Sequence, residues 1–303
     1  MQNKAATLFI IFNRPTTTRK VFEAIRNYKP TKLFVAADGP RKNKSGEKER
    51  CEEARKITEQ IDWPCEVKRL YRNKNLGCKL AVSSAITWFF SNVEEGIILE
   101  DDCLPNSTFF VFCEKMLDIY RDHIQVMHIT GDNSLPKEMQ NKNDYYFSKY
   151  SYVWGWASWK RAWKNYDVDM KDWPKVKRSG ALNKYFENLL EKLYWQTLLD
   201  ATYSGKINTW DYQFVYHVWK NNGVSVVPGK NLVSNIGFGE GAAHLKSENS
   251  PLAKLKTNIM NTKIMPKKIE TNKVADAYSG KYVFSINIIN VLKQKLYYTL
   301  KNW

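Results

Sequence analysis

Apolar and polar positions alternate along the first 130 residues so as to predict strand and helix in turn. Residues 7–12 (TLFIIF) form a dense apolar run, read as a buried strand. At 19–28, Val21, Ala24, Ile25 and Tyr28 recur at helical spacing. A second strand is expected at 32–37 (KLFVAA), closed by Asp38-Gly39-Pro40. A polar loop at 41–48 leads to a charged amphipathic helix with Cys51, Ala54 and Ile57 on one face. A third strand is expected at 65–71, a helix at 80–90 and a fourth strand at 96–99. A helix at 107–120 and a fifth strand at 125–130 complete the series. This order predicts an α/β fold with a doubly wound, mostly parallel sheet. Ligands of such sheets bind beyond the carboxyl ends of strands, where the strand order reverses. Phe12-Asn13-Arg14, Ala37-Asp38-Gly39 and Glu100-Asp101-Asp102 all fall at such ends.

The second half is less regular. An aromatic loop is expected at 152–163, then a polar segment, a long helix at 182–203 and a helix at 211–220 stopped by Asn222-Gly223. A short strand at 224–227 precedes a glycine-rich loop at 234–244. The segment 281–303 mixes apolar residues with Lys293, Lys295 and Lys301, which fits a helix lying in a membrane interface or one packed on the protein itself or a partner. The expected division is a catalytic domain at 1–245, with a nucleotide-binding half (1–130) and an acceptor half (131–245), followed by a basic extension at 246–303.

Charge sharpens the reading of that extension. The formal net charge is +16. From Pro251 onward ten lysines face only Glu270 and Asp276, so half of the excess sits there. Such asymmetry points to an anionic surface, membrane or nucleic acid. Five cysteines with no CxxC pair read as reduced cytosolic thiols, neither a disulfide framework nor a zinc site. The start leads directly into a core strand, with no signal peptide expected, and no apolar run approaches a membrane span. The expected location is cytoplasmic, or peripheral at the inner face of the cell membrane.

The chemistry concentrates at Gly96-Ile-Ile-Leu-Glu100-Asp101-Asp102. A buried strand ending in three carboxylates gathers repelling charge at one sheet edge, and such a cluster ordinarily holds a cation, the bland alternative being a solvated acidic turn. Strand alternation puts Glu100 and Asp102 on one side and Asp101 on the other. Oxygen-only ligands favour Mg²⁺ or Mn²⁺. Eleven tryptophans and seventeen tyrosines suit flat amphipathic ligands as well as cores. Phosphate-loop patterns are absent: there is no GxxxxGK[ST] and no clean GxGxxG after a strand, which disfavours an ATPase or NAD enzyme.

Together these residues resemble the GT-A class of nucleotide-sugar glycosyltransferases, closest to animal N-acetylglucosaminyltransferase I and related bacterial enzymes. The likeness spans roughly residues 7–244. It rests on the Glu-Asp-Asp run, on Pro105-Asn106-Ser107-Thr108-Phe109-Phe110, and on the order of the later Trp210-Asp211 and Gly237-Phe238-Gly239…His244 segments. It implies Asp102 as metal ligand, with Glu100 and Asp101 positioning the metal shell and the ribose. It also implies nucleotide contacts from Arg14 and Asp38, against which stands ordinary Asp-Gly-Pro turn chemistry. Arg72 and Asn75, in Arg72-Asn-Lys-Asn-Leu-Gly77 before a helix, meet phosphate or form a capped surface loop. Among Trp154, Trp156, Trp159 and Trp163, one of the first two is expected in the cleft against a sugar and the last two in the core. Asp211 is the expected base that takes the acceptor's proton, with helix capping as the bland alternative; Asp132 and then Glu240 follow. His244 is expected near the metal or phosphate, or as a surface histidine.

The resulting expectation is a metal-dependent, inverting glycosyltransferase. It would move a sugar from a nucleotide-diphosphate donor, most naturally a UDP-sugar, to a saccharide acceptor that is free or lipid-linked. A nucleotidyltransferase shares the sheet, but usually carries a Gly-rich basic loop where this chain has Asn-Arg-Pro-Thr-Thr-Thr. A nucleotide-sugar-binding protein without turnover is a further alternative. No nucleic-acid partner is expected, because a buried acidic cluster does not serve one.

Overall fold

The computed structural model describes residues 4–139, 143–238 and 255–300. His244 and Glu240 lie outside them. Among the described residues ten strands and ten α-helices run in the order β1 (Thr7–Ile11), α1 (Pro15–Tyr28), β2 (Lys32–Ala37), α2 (Glu47–Ile57), β3 (Glu66–Tyr71), α3 (Gly77–Phe90), β4 (Glu95–Glu100), β5 (Cys103–Pro105), α4 (Ser107–Ile119) and β6 (Val126–Thr130). There follow β7 (Tyr145–Ser148), β8 (Trp156–Trp159), α5 (Lys160–Trp163), α6 (Trp173–Ser179), α7 (Leu189–Tyr203), α8 (Asp211–Lys220), β9 (Val224–Pro228), β10 (Val233–Asn235), α9 (Lys273–Tyr278) and α10 (Ile288–Leu300).

Eight strands form one sheet in the order β3-β2-β1-β4-β8-β6-β9-β7. β1 lies parallel between β2 and β4. β8 runs antiparallel between β4 and β6, and β7 runs antiparallel to β9. The other six described strands of the sheet point one way, so the expected doubly wound, mostly parallel sheet is observed. Its strand order reverses between β1 and β4, the place where such sheets bind ligands.

The local sequence explains these elements. β1 is buried at every position, as befits a strand covered on both faces. α1 opens with Pro at its first turn, buries Val21, Phe22 and Ile25, and ends at Lys29 in the left-handed region (φ 57°). Burying each of those side chains is worth about 1.5–3 kcal/mol. Gly96 on β4 is required by packing: a Cβ there would sit 2.3 Å from Phe89 Cζ on α3.

The second half departs from expectation in its elements. The aromatic stretch contains β8, inserted between β4 and β6, with Trp156 and Trp159 both buried. The polar segment before the long helix contains α6, and that helix begins at Leu189, capped by Asn188 accepting from Glu191 N–H at 2.9 Å. Its aromatic residues build a second core, in which Trp195 and Trp219 meet edge-on at 4.8 Å.

The described part of the basic extension lies along the body. Asn258 N–H donates to Asn231 O at 2.8 Å, and Ile264 N–H to Asp144 Oδ2 at 2.7 Å. Asp276 on α9 is buried and accepts from Ser148 Oγ at 2.5 Å and Lys149 N–H at 3.2 Å. The expected tail helix is broken: a π turn at Ser279–Val283 precedes α10, which rests on α7.

Candidate functional site

A cleft of about 480 Å³ opens at the carboxyl ends of β1 and β4. Its lining brings together Arg14, Glu100, Asp102, Trp154, Asp211 and Tyr298. Sheet register explains the first three. β1 and β4 pair Ile10 with Glu100, so the chain leaving β1 passes the acids leaving β4. Phe12 N–H donates to Asp101 Oδ2 at 2.9 Å. Arg14 then bridges both aspartates: Nη2 lies 2.7 Å from Asp101 Oδ1 and Nη1 2.9 Å from Asp102 Oδ2.

Electrostatics follow from this crowding. Burial pushes the Glu100 carboxyl up to about 8, reinforced by Asp102 and Asp101 and opposed by Arg14. Burial pushes Asp101 up to about 6, against the pull of Arg14 and the Phe12 N–H. Burial alone would lower the Arg14 pKa; Asp101 and Asp102 outweigh it and hold the guanidinium charged. Cys78, at the start of α3, feels the same pocket: burial raises its thiol to about 12, and Glu100, Asp211 and Asp102 add to it.

A short second sheet closes one side. β5 and β10 pair antiparallel with Asn235 opposite Cys103, and Ile236 N–H donates to Asp102 O at 2.7 Å. Gly237 follows directly. A Cβ there would fall 2.3 Å from Asp102 Oδ2 and 2.6 Å from Arg14 Nη1, so the chain can lie against the Arg14–Asp102 pair only without a side chain.

Asp211 lines the same cleft from the first turn of α8. Its Oδ1 accepts from Thr209 Oγ1 and from Tyr212 N–H (2.9 Å), while Oδ2 makes no hydrogen bond among the described residues. One oxygen is therefore tethered, and the other has no tether among the described residues.

The donor set bears on a divalent ion. Among the described residues no three His, Cys, Asp or Glu side chains come together to hold one by themselves. Mg²⁺ is ordinarily held by one or two carboxylates with substrate phosphates and water completing the shell. Asp102 fits that pattern: Oδ2 is engaged by Arg14, and among the described residues Oδ1 meets only the Cys103 thiol at 3.5 Å.

Other expected site residues are placed differently. Trp156 is 1% exposed and stacks on Trp210 in the core at 5.7 Å, so it cannot meet a ligand; Trp154 lines the cleft instead, edge-on to Phe238 at 5.9 Å. Arg72 turns to Ser84 Oγ (2.8 Å) and borders a separate hollow with Arg55, away from the cleft lining. Asp38 organises a loop. Its Oδ1 accepts from the N–H groups of Gly39 and Leu76 (2.9 and 3.0 Å), and its Oδ2 from Asn75 Nδ2 and Gly77 N–H (2.9 and 3.1 Å). It thereby satisfies N–H groups at the start of α3 that the helix leaves unpaired. Asn75 belongs to the same tie. Asp132 is buried beside Thr130 (2.5 Å) and accepts from the Trp154 backbone, but does not line the cleft; burial pushes its carboxyl up to about 7. Asn235 and Tyr298 line the cleft unforeseen: Asn235 could have been inferred from its place within the expected glycine-rich loop, whereas nothing in the sequence marks Tyr298.

No family model matches the chain, and no curated protein matches it. Among solved structures it is similar to S. aureus TarS 1-349 at 10% identity and TM-score 0.39, covering 75% of this chain and 59% of that one. HddC from Yersinia pseudotuberculosis matches at 9% identity and TM-score 0.31, covering 55% of this chain and 80% of that one. A 4-diphosphocytidyl-2C-methyl-D-erythritol synthase from Anaerococcus prevotii matches at 9% identity and TM-score 0.31, covering 71% and 97%. The chain thus spans only 59% of the TarS fragment. Likenesses this distant carry no argument, and the site stands on its own geometry.

Proposed function

We propose that the chain is a metal-dependent, inverting glycosyltransferase that transfers a sugar from a UDP-sugar to a saccharide hydroxyl. One observation carries the reading: a single cleft at the sheet's switch point is lined both by the Arg14–Asp102 pair and by a half-tethered carboxylate, Asp211. Displacement at a sugar carbon needs both in one site: charge for the leaving diphosphate and a base for the incoming hydroxyl.

On this reading Asp211 Oδ2 takes the acceptor hydroxyl's proton as the oxygen attacks. Tethering through Thr209 and Tyr212 keeps that carboxylate from turning away. Arg14 supplies fixed positive charge where negative charge grows on the departing diphosphate. Trp154 gives a flat apolar wall for a sugar ring. Asp102, with Glu100 beside it, would hold a Mn²⁺ or Mg²⁺ ion, which when bound supplies Lewis-acid stabilisation of that same charge.

The test is a thermal-shift panel of UDP-, GDP- and CMP-sugars with and without Mn²⁺, followed by analysis of the released nucleotide. Metal-dependent stabilisation by UDP-sugars that Asp102→Asn abolishes, with release of UDP, is the expected result. Release of pyrophosphate from a nucleoside triphosphate would establish nucleotidyl transfer instead. Binding without release would establish a sugar-nucleotide binder.

A further inference from the structure

The outer face of α10 has no partner among the described residues. Ile288, Ile289, Leu292, Leu296 and Leu300 are each 60–66% exposed, within the range 60% (Leu296) to 66% (Leu300). At about 100° per residue they fall within one arc of about 120° on the helix. Lys293 and Lys295, both exposed, stand just beyond the two edges of that arc. The opposite face is occupied: Val291 is buried, and Tyr298 lines the cleft while its carbonyl accepts from Lys206 Nζ at 2.6 Å. The helix is thus held to the body by one side and leaves a continuous apolar stripe on the other.

We propose that α10 docks in the plane of an anionic lipid bilayer, with its apolar stripe in the acyl boundary and Lys293 and Lys295 at the headgroups. Charge decides the occupant. From Ala277 to the end of the chain there are four lysines and no aspartate or glutamate, so the whole segment is complementary to negative lipid. A second copy fits poorly. Twofold packing of this face would set lysine-edged stripes against each other with no acid on either helix to answer them. α10 has 13 residues, and no helix among the described residues is long and apolar enough to cross a membrane, so the helix lies along the surface and does not span it. Because Tyr298 lies on the body side of α10 and lines the cleft, docking holds the cleft within one helix diameter, ~10 Å, of the bilayer. An acceptor saccharide carried on a lipid would then reach Asp211 without leaving the membrane; that last step alone rests on the transferase reading.

The experiment is co-flotation of the full chain with vesicles of phosphatidylcholine alone and of phosphatidylcholine with 30% phosphatidylglycerol, at low and high salt, beside light scattering of the free protein. Monomeric protein should float with the anionic vesicles, and less at high salt. Leu292→Glu/Leu296→Glu should weaken that binding at least ~10-fold. Lys293→Gln/Lys295→Gln should lose the preference for anionic lipid. Both variants should keep the wild-type melting temperature and the Mn²⁺–UDP shift, so a failure of docking is separable from a failure of the cleft reading. Absence of flotation, flotation unchanged in both variants, or a wild-type dimer that Leu292→Glu/Leu296→Glu breaks would overturn the proposal.

Discussion

Replacing Arg14 by Ala removes the one cation among the described residues that pairs with the acidic run, at 2.7 and 2.9 Å. Three carboxyl groups then share a largely dehydrated corner without a counter-charge. Losing one partner of a fully buried pair costs about 3–5 kcal/mol. The Arg14 side chain is 29% exposed and Asp102 16%, so solvent reduces the expected loss at neutral pH to about 2–3 kcal/mol. The loss should depend on pH with a definite sign. Glu100 titrates near 8 in the fold against 4.5 as the ordinary value. Unfolding therefore releases its proton between those values, and stability falls as pH rises through the window, by up to about 1.4 kcal/mol per pH unit. Arg14 limits that fall by favouring the charged form. Urea unfolding of Arg14→Ala and wild type at pH 5, 6.5 and 8 should show a deficit below about 1 kcal/mol at pH 5 that is largest at pH 8. A deficit that is constant, or that shrinks as pH rises, would refute this account of the corner.

Further predictions follow from the other residues placed by the fold. Asp211→Asn should lower kcat by about 10²–10⁴-fold and change the dissociation constant for the donor less than threefold in calorimetry, roughly as expected for loss of a general base alone; Asp132→Asn should leave kcat within about tenfold, again judged against the usual general-base effect. Trp156→Ala should cost about 3–5 kcal/mol in urea unfolding as a core cavity, whereas Trp154→Ala should leave stability nearly unchanged and raise the acceptor KM. Burial depresses His128 to about 3 and His217 to about 4, below the ordinary 6.5. Their contribution is complete above pH 6.5 and is lost as pH falls, because the unfolded chain takes up the protons first. Urea unfolding of His217→Gln should accordingly be less sensitive to acid between pH 6.5 and 4.5 than that of wild type.

The parallel half of the sheet was readable because its strands are continuous apolar runs, as in Thr7–Ile11, and its helices keep a clear stripe, as in α1. β8 was not readable. Trp156–Trp159 is buried on both faces, so it shows no alternation, and its role depends on insertion between two strands distant in sequence. The acidic run marked the cleft, but its pairing with Arg14 spans 87 and 88 residues and exists only through the β1–β4 register. Asp38 shows the opposite lesson. An aspartate at a strand's carboxyl end looks like a ligand contact, yet here it is consumed by N–H groups of the next loop. Trp154 and Trp156 differ by two positions in a tryptophan-rich segment, and only the placement of β8 separates cleft from core.

The most direct test of the central claim is diffraction from crystals grown with Mn²⁺ and UDP. The account predicts the ion coordinated by the Asp102 carboxylate with the diphosphate against it, in the cleft bounded by Arg14 and Asp211. Ion and nucleotide bound at another surface, with residues 100–102 still paired only to Arg14, would contradict it.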